Sequence, residues 1–241
     1  MTKASFPRIP DCHGRASEIV SSGMKLSRAL WSAVLLVAGS IAFAAPEKWT
    51  EAIDKFTQAD ITNPPPHGAV VFVGSSSIAR WESLEKDFAG TKVVNRGFGG
   101  SELADSVFYA DRIVIPYRPR VVVLYAGEND LNAGKTPETI VADFKAFAKK
   151  VHSALPNTKI VYIAIKPSPS RWKIKDQFTR TNALIAAECA KDKRRFAFAD
   201  IHPLMLDAKG QPRPELFVKD MLHMNPAGYA IWTPVVAPLI K

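Results

Sequence analysis

The sequence predicts an α/β fold in which a parallel sheet carries helices on both of its faces. Five short runs rich in β-branched residues are spaced along the chain from residue 69 onward. Between them lie stretches whose apolar residues recur at helical spacing. The runs themselves are almost continuously apolar rather than alternating, which is the pattern of strands covered on both sides.

Strands are expected at 69–74 (AVVFVG), 92–95 (KVVN), 120–126 (RVVVLYA), 159–165 (KIVYIAI) and 196–200 (FAFAD). The clearest helix is expected at 137–153. There Ile140, Val141, Phe144, Phe147, Ala148 and Val151 line one face at spacings of three and four. Thr136 can cap its first turn, and Pro137 suits the first helical position because its missing N–H has no partner there anyway. Other helices are expected at 49–59, 78–88, 102–109 and 174–190. A last one starts at Asn225-Pro226 and should kink or stop at Pro234, where a ring replaces a donor. The Asn63-Pro64-Pro65-Pro66 run is a stiff extended lead-in to the first strand rather than a domain boundary. No internal repeat is found.

With 241 residues, 47% hydrophobic and 23% charged, the composition excludes a disordered or fibrous chain and suits one domain with a sizeable core. That domain is expected at 46–241. Residues 1–45 read as a secretory signal. Lys25 and Arg28 supply its positive start, 29–38 (ALWSAVLLVA) is uncharged, and Ala42-Phe43-Ala44 ends it with small residues where a signal peptidase inspects them. The stretch is short of the roughly 20 residues that span a bilayer, and Gly39 and Ser40 interrupt it. Export to the periplasm or medium, with no membrane span left after cleavage, is the expectation. Met24 is the expected true start, because a signal's charged region belongs at the terminus.

Removing residues 1–44 takes away five Lys/Arg and two Asp/Glu, so the charge falls from +9 to +6. The basic residues are scattered. The densest group, 191–195 (KDKRR), sits where a helix should end and cations are favoured. No nucleic-acid motif is present. Cys12 lies in the signal segment, which leaves Cys189 alone in a helix as a small buried hydrophobe rather than half of a disulfide.

In an open parallel sheet, ligands gather outside the carboxyl ends of the strands, so the residues just after each strand are the ones to inspect. They read Gly74-Ser75-Ser76-Ser77-Ile78, then Asn95-Arg96-Gly97-Phe98-Gly99-Gly100-Ser101, then Gly127-Glu128-Asn129-Asp130. Near the C-terminus comes Asp220-Met221-Leu222-His223-Met224-Asn225-Pro226. Taken singly, each has a bland explanation as a helix cap or a tight turn. Taken in order, they resemble the SGNH/GDSL hydrolases, whose blocks read Gly-Asp-Ser, a glycine turn, Gly-x-Asn-Asp and Asp-x-x-His. The chain departs from that pattern at Ser75, where the family often carries Asp. The resemblance covers about 69–232. It implies a flavodoxin-like three-layer α/β/α sandwich with a five-stranded parallel sheet, and it puts the nucleophile at Ser76, with Ser77 the alternative register.

The chemistry of the residues agrees with those roles. A serine hydroxyl is a poor nucleophile until a base takes its proton, and a histidine held by a carboxylate is the common solution. His67 precedes the first strand, His13 lies in the signal, and His152 ends a helix where it should be exposed. His202, paired with Asp200, and His223, paired with Asp220, remain; the second pair is favoured because three-residue spacing can put both side chains on one turn. Donors for the negative oxygen of a tetrahedral intermediate are available from the backbone N–H groups of Ser76 and Gly100 and the side chain of Asn129, the trio the resemblance implies. Asp130 is expected to brace its loop. Trp81, Phe98, Tyr125 and the loop 166–172 (KPSPSRW), with Trp172 at its end, are candidates to wall the pocket; core packing is an equal reading of the aromatics.

Other chemistries fit less well. The turn at 74–78 lacks the second glycine of the G-x-S-x-G elbow. Glu102 stands where G-x-G-x-x-G needs its third glycine, and no His or Cys pair has zinc spacing, so no cofactor or metal is expected. The expected activity is hydrolysis of a carboxylic ester of a small molecule, glycan or lipid through an acyl-serine intermediate. An O-acyltransferase acting on an envelope glycan, or a noncatalytic carbohydrate-binding module, are the alternatives.

Overall fold

The structure, a computed structural model, describes residues 46–241; the expected signal at 1–45 falls outside the described residues. Five parallel strands, β1 (Val70–Gly74), β2 (Val93–Gly97), β3 (Val121–Tyr125), β4 (Lys159–Ile163) and β5 (Phe196–Ala199), form one sheet in the order β2-β1-β3-β4-β5. The central strands β1 and β3 are buried along their whole length, as their unbroken apolar runs require. The edge strands β2 and β5 are only partly covered.

Among the described residues, eight α-helices surround the sheet: α1 (Thr50–Thr62), α2 (Ser76–Ala79), α3 (Leu84–Asp87), α4 (Leu103–Ile113), α5 (Glu128–Asn132), α6 (Pro137–Ala154), α7 (Lys175–Ala190) and α8 (Pro226–Val236). Side chains alternate across each strand, so the sheet feeds two cores. Val122, Leu124, Ile160 and Tyr162 pack with Ile53, Leu103, Phe144, Phe147 and Phe178 from α1, α4, α6 and α7. Val70, Phe72, Val123 and Val161 pack with Trp81, Tyr229 and Trp232 on the other face, where α8 lies. The chain is thus a three-layer α/β/α sandwich.

Several elements depart from expectation for visible reasons. The helix expected at 78–88 is two short pieces. Trp81 turns into the core, and its indole N–H donates to Asp87 Oδ2 at 2.7 Å, while Ser83 Oγ donates to the same oxygen at 2.6 Å. Those bonds hold residues 80–83 in a turn that replaces the helix interior. In α8, Pro234 does not end the helix, which runs on to Val236. The carbonyl left without its donor belongs to Ala230, which is exposed and open to solvent. Residues 128–132, expected as loop, form α5. Thr136 accepts the Thr139 N–H at 3.2 Å and Pro137 begins α6, as expected. His152 is half-buried rather than exposed, its ring nitrogen 2.9 Å from the Thr158 carbonyl. Cys189 is buried, and burial pushes its thiol up to about 12.

Candidate active site

Ser76 is the first residue of α2, directly beyond the carboxyl end of β1. Its neighbours Ser75 and Ser77 are 3% and 2% exposed; of the three, the middle serine alone is partly open to solvent. Two long-range bonds seat the helix. Asn95 on β2 donates to the Ile78 carbonyl at 2.7 Å, and Tyr229 on α8 donates to the Ser77 carbonyl at 3.0 Å. Gly97 allows this seating, because a Cβ there would come within 2.2 Å of the Ala79 nitrogen.

Asp220 and His223 occupy one tight turn. Asp220 Oδ1 accepts the backbone N–H groups of Leu222 and His223, both at 2.9 Å, and Oδ2 lies 2.6 Å from His223 Nδ1. Met221 adopts φ 56°, the left-handed conformation that closes the turn. Desolvation raises the Asp220 carboxyl, but the bonds from the His223 ring and the two N–H groups outweigh it and hold the group below the usual carboxylate range. A carboxylate on Nδ1 puts the proton there and leaves Nε2 as an acceptor. That nitrogen is 3.0 Å from Ser76 Oγ, 147 positions earlier in the chain.

The rival pair does not assemble. His202 Nδ1 faces the Ile165 carbonyl at 2.8 Å, and Asp200 is exposed at the end of β5.

Gly100 turns at φ 78°, where a side chain would be strained, and a Cβ would come within 3.3 Å of the Trp49 ring. Asn129, on α5, donates from Nδ2 to the Ser101 carbonyl at 2.8 Å and accepts at Oδ1 from Arg171 at 2.9 Å. Asp130 beside it is fully buried and accepts the Leu103 N–H at the start of α4. Burial lifts its carboxyl to about 6, against the pull of Lys135 and the Leu103 N–H. It braces the loop, as expected.

Beneath Asn129 lies a cluster that sequence reasoning missed. Glu128 is buried and paired with the equally buried Lys166, and it accepts bonds from Ser168 Oγ and, at 2.8 Å, from the Tyr125 hydroxyl. Burial pushes Glu128 up, but the Lys166 ammonium and the Arg171 guanidinium pull it below its ordinary value, so the carboxylate is ionised. Burial also lowers Lys166, against the opposing pull of Glu128. The signal was present in two places: a charged residue inside Gly-x-Asn-Asp, and a lysine and an arginine in the loop after β4.

That cluster and the core correct the expected pocket walls. Trp81, Phe98 and Tyr125 are 1%, 2% and 0% exposed, so they offer a substrate no surface. Trp81 stacks on Tyr229 at 5.0 Å between centroids, and Tyr125 packs on Trp232 at 4.9 Å. Phe98 is wedged edge-on between Trp49 and Tyr109. Trp172 alone of the four stays partly open, with Lys175 over its ring. Among the described residues, no group of three or more His, Cys, Asp or Glu is placed to hold a metal ion, and no helix is long and apolar enough to cross a membrane.

Solved structures share this fold. A Streptococcus pneumonia protein described as a platelet activating factor matches with a TM-score of 0.71 at 18% identity, over 81% of this chain and 94% of that one. A GDSL-like lipase from Bacteroides thetaiotaomicron matches at 0.65 and 21%, over 78% and 96%. An acetylxylan esterase from Geobacillus stearothermophilus matches at 0.59 and 15%, over 73% and 95%. Among curated proteins, no sequence relative matches. The GDSL-like Lipase/Acylhydrolase family model matches residues 67–231, which span every block from Ser76 to His223. The chain belongs to that family, and it is a carboxylic ester hydrolase.

Proposed function

We propose that the protein cleaves short-acyl esters, acetylated sugars foremost, through an acyl-serine intermediate on Ser76. Ser76 Oγ attacks the ester carbonyl carbon while His223 Nε2 takes its proton. Asp220 holds the ring in the tautomer this needs. The carbonyl oxygen gains the negative charge, and the backbone N–H groups of Ser76 and Gly100 and the Asn129 amide receive it. The intermediate collapses, the C–O bond to the alcohol breaks, and His223 returns its proton to the leaving oxygen. Water then repeats the sequence on the acyl-enzyme and releases the acid.

One observation carries this reading: the 3.0 Å approach of His223 Nε2 to Ser76 Oγ, with Asp220 at 2.6 Å on the far side of the ring. A short acyl group is supported by the commitment of Trp81, Phe98 and Tyr125 to the core, which leaves them unable to line a trough for a long chain. The acetylxylan esterase that shares the fold makes acetylated xylan a suitable test substrate. Export, as residues 1–45 suggest, would bring the enzyme to such polymers.

An acyl-chain series on aryl esters, with acetylated xylan alongside, tests both parts. The acetyl ester should give the highest kcat/KM, and Ser76→Ala should lower kcat by about 10^6. Ser77→Ala should retain activity. A preference for long acyl chains would sink the short-acyl reading, and an active Ser76→Ala would sink the mechanism.

A further inference from the structure

We propose that Arg171 is a positioning residue that aims the Asn129 amide at the oxyanion, which rests on the reading of Asn129 as an oxyanion donor. An asparagine amide can flip, and only one of its two faces donates. The partners here leave a single choice. A guanidinium can only donate and a carbonyl can only accept. The atom facing Arg171 at 2.9 Å must therefore be Oδ1, and the atom facing the Ser101 carbonyl at 2.8 Å must be Nδ2. One Nδ2 hydrogen is spent on Ser101, and the other remains for a substrate. A cation on Oδ1 also draws electron density from the amide and strengthens that remaining donor.

Arg171 is itself held from several directions. Its backbone N–H donates to the Ser168 carbonyl at 3.1 Å, and Ser168 is anchored on Glu128. The guanidinium lies 3.8 Å from Glu128 Oε1, so its charge is balanced. The Ser170 N–H donates to the Met221 carbonyl at 3.1 Å, inside the Asp220–His223 turn. Ser168, Ser170 and Arg171 of one loop thus tie the Asn129 side of the site to the histidine side. The contact joins residues 42 positions apart, so only the fold brings Arg171 to Asn129.

A double-mutant cycle on p-nitrophenyl acetate decides the matter. Arg171→Met should lower kcat by about 10- to 100-fold through misaimed geometry, with KM within about twofold. Arg171→Lys should recover part of the loss. In an Asn129→Ala background, Arg171→Met should cost no more than about twofold, because the amide it serves is gone. Equal losses in both backgrounds would overturn the proposal, as would a wild-type kcat for Arg171→Met. An Asn129→Ala variant with wild-type kcat would instead remove the oxyanion assignment beneath it. Thermal melts check folding, and if Arg171→Met fails to fold, the same cycle is read with Arg171→Lys.

Discussion

The turn that carries Asp220 and His223 and the cluster that carries Asn129 are built in opposite ways. The turn is local and partly open: every bond that shapes the Asp220 carboxylate comes from within three residues, and its side chain is 45% exposed. The cluster is buried and nonlocal, joining Tyr125 and Glu128 to Lys166, Ser168 and Arg171, some 40 positions on. A carboxylate can be held by backbone N–H groups in water, but a buried one needs a countercharge. The two halves therefore fail differently when disturbed: the turn loses chemistry alone, whereas the buried charge pair of the cluster also loses stability.

Matched substitutions would break that contrast or sharpen it. Asp220→Asn should lower kcat by about 10^4, because the ring loses the partner that fixes its tautomer, while urea unfolding changes by less than about 1 kcal/mol at so exposed a site. Glu128→Gln leaves the Lys166 ammonium buried without its countercharge, and should cost about 3–5 kcal/mol in urea unfolding. A stability loss for Asp220→Asn as large as for Glu128→Gln would erase the distinction.

Acid gives a smaller and independent reading. The Glu128 carboxyl lies below its ordinary value of 4.5 in the folded protein. Its contribution to stability is complete above that value and is lost as pH falls through the lower folded one. The unfolding free energy of the wild type should decline more steeply below about pH 4.5 than that of Glu128→Gln. Asp220 is also depressed, but solvent screens so exposed a group, so Asp220→Asn should leave the acid slope nearly unchanged. Parallel slopes for wild type and Glu128→Gln would contradict the cluster's role.

The same contrast explains what was legible in the sequence. Continuous apolar runs announced β1 and β3, since burial on both faces leaves no alternation to misread. The Asp220–His223 turn was legible because three-residue spacing carries its geometry locally. Ser76 was singled out by the order of the blocks, and its rival Ser77 is buried. The break between α2 and α3 was not, because it depends on where the Trp81 ring goes, a matter of packing. The Glu128–Lys166 pair was missed for the same reason: a charged residue inside Gly-x-Asn-Asp and a lysine after β4 marked the place, but whether the two leave water together depends on packing. Trp81, Phe98 and Tyr125 were misassigned because proximity in sequence to a motif says nothing of which way a side chain points.

The most direct test of the account is to treat the folded wild-type enzyme with a fluorophosphonate and locate the adduct by mass spectrometry of its peptides. One modification is expected, on the Ser76 hydroxyl, and His223→Ala should prevent it. An adduct on Ser77 or on any other residue, or undiminished labelling of His223→Ala, would contradict it.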